Sequence, residues 1–180
     1  VGNSLGGAIA WMIALDHPEK VAQLVLVDAG GYPLIKGNYK EFAHTPFLQV
    51  GIQLLFSRSA VKMVLHKTFY DARKVTDGRV DAYFNRLRTT GALDSLVLIN
   101  KNFDPEQVRF YVERIPDIKQ ETLIIWGEQD LWIPLKFSYQ FKQDIKRSTL
   151  TVIPQCGHMP QEEKPGEVAE KLYRFLEGIP

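Results

Sequence analysis

Near its start the chain reads Gly2-Asn3-Ser4-Leu5-Gly6, a serine with a glycine two residues away on each side. Placed between a strand and a helix, this spacing makes a nucleophile elbow. To lift its hydroxyl above the strand ends, the serine must take a strained backbone conformation. The residues two before and two after it then come too close to carry side chains. A helix starting just past Ser4 would aim its unsatisfied N–H groups at the site and favour developing negative charge there. Taken alone the pentapeptide is weak, because Gly and Ser are common in turns.

A serine hydroxyl needs a base within hydrogen-bond reach and a third group to orient that base. Histidine suits the base, since its unperturbed pKa lies near neutrality. Of the four histidines, His17 reads as a helix-end residue in Asp16-His17-Pro18, and His44 and His66 read as solvent-exposed. His158 differs. It follows an apolar run ending at Ile153, in Cys156-Gly157-His158-Met159-Pro160. Its loop should therefore emerge at the carboxyl end of a sheet, where open α/β folds bind ligands. The orienting acid should also sit just past a strand. Asp130 does, in Trp126-Gly127-Glu128-Gln129-Asp130, with Asp28 as its rival at the end of another run and Glu128 as a weaker one. The chain order nucleophile, acid, base favours Asp130.

The elements that must carry these residues are visible as apolar runs. Gln23 to Asp28, Thr122 to Trp126 and Leu150 to Ile153 are short and rich in branched residues. None alternates cleanly, which predicts parallel strands buried on both faces. Ala8, Met12 and Leu15 predict one face of a helix that ends near His17-Pro18. Val168, Ala169, Leu172, Phe175 and Leu176 predict an amphipathic helix. Alternation of strand and helix implies an α/β sheet. Between Tyr32 and Ile115 no convincing buried strand occurs. The best-bounded helix there runs from Asp104, with Asp104 as N-cap, Pro105 in the first turn and Gln107 at capping-box spacing. Val108, Tyr111, Val112 and Ile115 line its apolar face. So long an insertion predicts a cap rather than a crossover. Phe47, Leu48, Val50, Ile52, Leu54, Leu55 and Phe56 make part of it strongly apolar, either for packing or to line a substrate pocket. The expected organisation is core over 1–31, helical cap over 32–115 and core again over 116–180.

Composition narrows the function classes. The 180 residues carry 22 Lys plus Arg against 21 Asp plus Glu, a net charge of +1 that gives no electrostatic case for nucleic acid or an anionic membrane surface. A single cysteine, Cys156, excludes an intrachain disulfide. No apolar run approaches the roughly 20 residues of a membrane span.

Taken together, Gly2-Asn3-Ser4-Leu5-Gly6-Gly7, Leu24 to Asp28, Leu123 to Asp130, Gly157-His158 and Asp16-His17-Pro18-Glu19 resemble the C-terminal two-thirds of an α/β-hydrolase-fold enzyme. The resemblance implies a mostly parallel sheet flanked by helices, with Ser4 as nucleophile, His158 as general base and Asp130 as its partner. It also implies that the backbone N–H of Leu5 supplies half of an oxyanion hole, with no metal or organic cofactor. Members of this family have further strands, and a second oxyanion donor, before the elbow. We therefore expect these residues to belong to a longer protein, and expect the isolated segment to fold poorly and be inactive. Loss of one oxyanion donor costs about 10²–10³ in turnover. Serine rather than aspartate at position 4 argues against dehalogenase or epoxide-hydrolase chemistry. The expected activity is hydrolysis of a carboxylic ester of a small to medium hydrophobic substrate. Hydrolysis of a carbon–carbon bond in a vinylogous diketone is the alternative. A non-catalytic binding module of the same fold is the alternative of a different class.

Overall fold

The computed structural model describes residues 1–33, 57–102 and 104–178. In chain order these form β1 (Gly2–Asn3), α1 (Leu5–Asp16), β2 (Gln23–Val27), α2 (Arg58–Thr68), α3 (Asp77–Leu87), α4 (Ala92–Lys101) and α5 (Pro105–Glu113). They continue with β3 (Glu121–Gly127), α6 (Lys136–Asp144), β4 (Ser148–Ile153), α7 (Pro160–Glu163) and α8 (Pro165–Leu176). The four strands make one sheet in the order β1-β2-β3-β4, all parallel. Leu26 faces Ile124, which faces Leu150 across the ladders.

The apolar runs are continuous because the sheet is covered on both sides. Successive strand residues point to opposite faces. Leu24, Leu26, Ile124 and Trp126 join Trp11 and Ala14 of α1, Phe137 and Phe141 of α6, and Val112 of α5 in one cluster. Val25, Val27, Leu123, Ile125 and Ile153 pack on the other face against Val168, Leu172 and Phe175 of α8. The predicted parallel α/β sheet is thus observed. β4 departs from expectation. Its middle residues, Leu150 to Val152, are only partly buried, since among the described strands it pairs on one side alone.

Two helical faces also differ from the prediction. The buried stripe of α1 is Gly7, Ala8, Trp11 and Ala14, while Met12 and Leu15 are only partly buried at its margin. Trp11 explains the shift. It is 1% exposed, donates from Nε1 to the Gly30 carbonyl at 2.7 Å, and stacks edge-on with Tyr111. Truncating so large a buried side chain costs about 3–5 kcal/mol. On α8 the stripe is Val168, Leu172 and Phe175, with Ala169 and Leu176 exposed. α1 ends at Asp16, directly before His17-Pro18, as the proline requires.

The described helices of the predicted cap divide by what they pack on. In α5, Asp104 caps as expected, accepting from the Glu106 N–H at 2.9 Å, and the helix stops at Glu113. Its Val108, Tyr111 and Val112, with Ile115 in the following turn, join the cluster beneath α1. α2 and α3 instead build a separate cluster of Val61, Leu65, Phe69, Val75 and Val80, with Met159 of the histidine loop packed against it. Phe47, Leu48, Val50, Ile52, Leu54, Leu55, Phe56 and His44 lie outside the described residues.

Candidate active site

Each chemistry-bearing residue sits just beyond the carboxyl end of a strand. Ser4 lies between β1 and α1 with φ 54° and ψ −120°. A non-glycine residue held there stores strain, of order 1–3 kcal/mol, that the surroundings must enforce. They do so through the Ser4 N–H, which donates to Val27 O at 3.0 Å, and the Ser4 carbonyl, which accepts from Gly30 N at 2.9 Å and Ala8 N at 3.1 Å. Glycine is required at position 2, where a Cβ would lie 2.1 Å from the Gly6 carbonyl oxygen. The matching expectation for Gly6 is corrected, because a Cβ there meets nothing within 4 Å among the described residues. The tight helical glycine is Gly7, whose Cβ would lie 2.5 Å from that of Ala29. Leu5 opens α1, so its N–H has no acceptor within the helix. The first turn carries no acidic residue to cancel the helix-terminal field.

The structure brings Asp130 and His158 together. Asp130 Oδ2 and His158 Nδ1 are 2.7 Å apart, with the side chains 0% and 3% exposed. The other carboxylate oxygen, Oδ1, accepts from Trp132 N at 2.7 Å and Ile133 N at 3.1 Å, so the acid is itself fixed. With Nδ1 committed to the acid, Nε2 is the ring nitrogen left to exchange a proton with another group. It is buried and has no hydrogen-bond partner among the described residues. The hydroxyl of Ser4 is therefore not bonded to Nε2 here. The two stretches nonetheless meet, because Asn3 Nδ2 donates to the His158 carbonyl at 3.2 Å and to Val27 O at 3.1 Å.

The loop that carries His158 is fixed on two sides. Towards β3, Gln129 N donates to Cys156 O at 2.9 Å and Cys156 N donates to Gln129 Oε1 at 3.0 Å. Gly127 and Gly157 allow the two backbones to touch, since a Cβ on Gly127 would lie 1.9 Å from Gly157 O. Towards the helices, His158 N donates to Thr68 O at 2.8 Å. Glu163, 1% exposed, accepts from Gly157 N at 2.6 Å, Tyr70 N at 2.9 Å and Asp71 N at 3.2 Å. One buried carboxylate thus ties the end of α2 to the histidine loop. The sequence reading missed Glu163 and Asn3.

The rivals separate clearly. Glu128 is exposed and accepts from Gln129 Nε2. His17 caps α1 and lies 3.8 Å from Glu19, and His66 is exposed. Asp28 is fully buried beside Asp130, and its Oδ1 accepts from Gly127 N at 2.8 Å. Burial, then the neighbouring Asp130 charge, push the Asp28 carboxyl well above the usual carboxylate range. Burial likewise pushes the Cys156 thiol up, which makes it a poor thiolate nucleophile. Asp28, Asp130 and His158 each offer a ligand atom within 4.8 Å of the others. A metal ion there would have to break the Asp130–His158 bond, so the set reads as a hydrogen-bonded assembly.

A parallel sheet covered on both faces, with a strained serine and a buried Asp–His pair past its strand ends, defines an α/β hydrolase. The family model described as "alpha/beta hydrolase fold" matches residues 1–165, and the chain belongs to that family. It is 28% identical to a 2-hydroxy-6-oxo-6-phenylhexa-2,4-dienoate hydrolase of Comamonas testosteroni, an alignment covering 98% of this chain and 61% of that protein. It is 32% identical to a 2-hydroxy-6-oxononadienedioate/2-hydroxy-6-oxononatrienedioate hydrolase of the same organism, covering 91% and 57%. Among solved structures, a meta-cleavage product hydrolase superposes with a TM-score of 0.77 at 26% identity, covering 98% of this chain and 64% of that one. A thermophilic esterase superposes with a TM-score of 0.65 at 28% identity, covering 99% and 65%. The chain spans about three-fifths of the length of these curated relatives. No described helix is long and apolar enough to cross a membrane.

Proposed function

We propose that the protein is a serine hydrolase in which Ser4 is the nucleophile, His158 the general base and Asp130 the group that orients it. The observation that carries this reading is the buried 2.7 Å bond between His158 Nδ1 and Asp130 Oδ2, which leaves Nε2 without a partner among the described residues. Ser4 Oγ attacks a carbonyl carbon as Nε2 takes its proton. The Leu5 N–H, at the start of α1, stabilises the oxyanion. The imidazolium returns the proton to the leaving group, and water releases the acid by the same route. The reaction needs no metal or organic cofactor. Core segments 1–31 and 116–180 hold this machinery, and segment 32–115 acts as the cap that shapes the pocket.

For the substrate we favour a vinylogous diketone cleaved at a carbon–carbon bond, ahead of the ester that the sequence alone put first. The support is that relatives at 28% and 32% identity are hydrolases of 2-hydroxy-6-oxo-dienoates. A 2-hydroxy-6-oxo-dienoate first shifts its 2-hydroxyl proton to the carbon beside the 6-oxo group, giving the vinylogous diketone, and the bond between the attacked carbonyl carbon and that carbon then breaks. The electron pair delocalises into a dienolate, which takes the proton from His158. Ester hydrolysis remains the second reading, supported by the esterase at 28% identity. A panel of a ring-fission dienoate, short and long p-nitrophenyl esters and the Ser4→Ala variant tests both. The expected result is higher kcat/KM on the dienoate, abolished by Ser4→Ala. Dienoate turnover undiminished in that variant would end the reading.

A further inference from the structure

Asp28 is a buried acid that the proposed reaction does not use. It follows β2 with φ 42°, a backbone region rare for residues other than glycine but one that aspartate adopts more readily than most. Its Oδ1 accepts from Gly127 N, in line with the β2–β3 ladder that Asp28 N continues by donating to Ile125 O at 3.0 Å. Its Oδ2 is buried and has no donor among the described residues. Asp28 lies beside Asp130, and the two acids with His158 each bring one ligand atom within 4.8 Å of the others. Asp130 is already supplied with donors, two backbone N–H groups on Oδ1 and the imidazole on Oδ2. Two buried carboxylates side by side, with no Lys or Arg bonded to either among the described residues, are costly to charge together, and a shared proton resolves the conflict.

Resting on the Ser4–His158–Asp130 reading, we infer that Asp28 is an un-ionised acid whose O–H donates to the Asp130 carboxylate. It is a positioning residue that fixes the acid which in turn fixes His158. The proton is placed on Asp28 because Asp130 is bonded by two backbone N–H groups and the imidazole, whereas among the described residues Asp28 Oδ1 has a single N–H and its Oδ2 has no donor. The groups facing Asp28 act in the same direction: burial first, the Asp130 charge next, and the Glu163 charge more weakly, all raise its affinity for a proton, opposed by the Gly127 N–H. The extra bond would restrict the Asp130 carboxylate that holds the imidazole.

Asparagine copies this state, with a carbonyl to accept from Gly127 and an amide to donate to Asp130. Alanine copies neither. In the full-length protein Asp28→Asn is expected to stay within about tenfold of wild type in kcat, with the pH–rate profile unmoved. Asp28→Ala is expected to lose about 10- to 100-fold in kcat at similar KM, with the acid limb of the profile displaced. Wild type minus Asp28→Asn difference infrared spectra at neutral pH should show the carbonyl stretch of a protonated carboxylic acid. That readout needs neither turnover nor a stable Asp28→Ala variant. An Asp28→Asn loss as large as that of Asp130→Asn, or the lack of the protonated band, would overturn the inference. If Ser4→Ala left turnover intact while the band was present, the proposed function would fall and the protonation of Asp28 would stand.

Discussion

Two buried carboxylates hold His158, and they do so in different ways. Asp130, in the loop after β3, bonds the imidazole ring itself. Glu163, in α7, does not touch the ring: it accepts from one backbone N–H beside the histidine, from two just past α2 and from the Cys156 thiol. The first contact acts on tautomer and charge of the ring. The second acts on where the loop lies and on how firmly α2 is attached to it. The difference separates two demands on the histidine proposed as general base: a defined protonation state, and a defined position. Each is met by its own acid from its own element, so each can be removed without the other.

The largest effect should come from Asp130→Asn. The asparagine preserves shape but presents the wrong tautomer, and turnover should fall about 10⁴-fold, by analogy with the serine-protease triad, with little change in melting temperature. Steady-state kinetics beside a thermal melt checks this. A loss of stability without that loss of rate would erase the distinction. Next is Glu163→Gln. Its amide turns a donor towards N–H groups that need acceptors, so stability should fall by about 1.5–3 kcal/mol in denaturant titration. Turnover should fall far less than in Asp130→Asn. If the two variants show the same rate loss at the same stability, both acids serve one function.

A subtler effect separates Asp28 from both. Its proton affinity is higher folded than unfolded, so its contribution to stability falls as pH rises through and above the unfolded carboxylate value of about 3.9. Asp28→Asn removes that titration. The variant should therefore gain on wild type as pH is raised from about 4 towards neutrality, read as the difference between two melting curves. A constant difference would show that Asp28 is ionised in both states. The smallest effect belongs to the rim of the Glu163 region. Arg79 Nε lies 3.1 Å from Glu162 Oε2 with both side chains 27% exposed, and Arg79→Ala should cost only about 0–1 kcal/mol.

The sequence showed most of the sheet and much of the site, because those rest on local signals. Gly2 and Ser4 lie two residues apart. The runs Leu24–Val27 and Leu123–Trp126 are apolar on both faces because both faces are covered, and Asp130 and His158 each follow such a run. What stayed hidden depends on contacts between distant parts of the chain. Asn3 reads as a filler within the elbow, but its amide reaches a carbonyl 155 residues away. Glu163 lies in Gln161-Glu162-Glu163-Lys164, a polar stretch with no period to separate the buried acid from the solvated one. Gly6 looked as constrained as Gly2, yet α1 leaves it in open space and presses Gly7 onto Ala29 instead. Trp11 redefines the buried face of α1 because its indole reaches Gly30, which no helical period reveals.

The unit proposed for residues 4, 130 and 158 is tested most directly by covalent labelling. Full-length protein would be treated with a fluorophosphonate and the adduct mapped by peptide mass spectrometry, alongside His158→Ala. The expected result is a single adduct on Ser4 in the wild type and labelling slowed by orders of magnitude in the variant. An adduct on another residue, or equal labelling rates in the two proteins, would contradict the account.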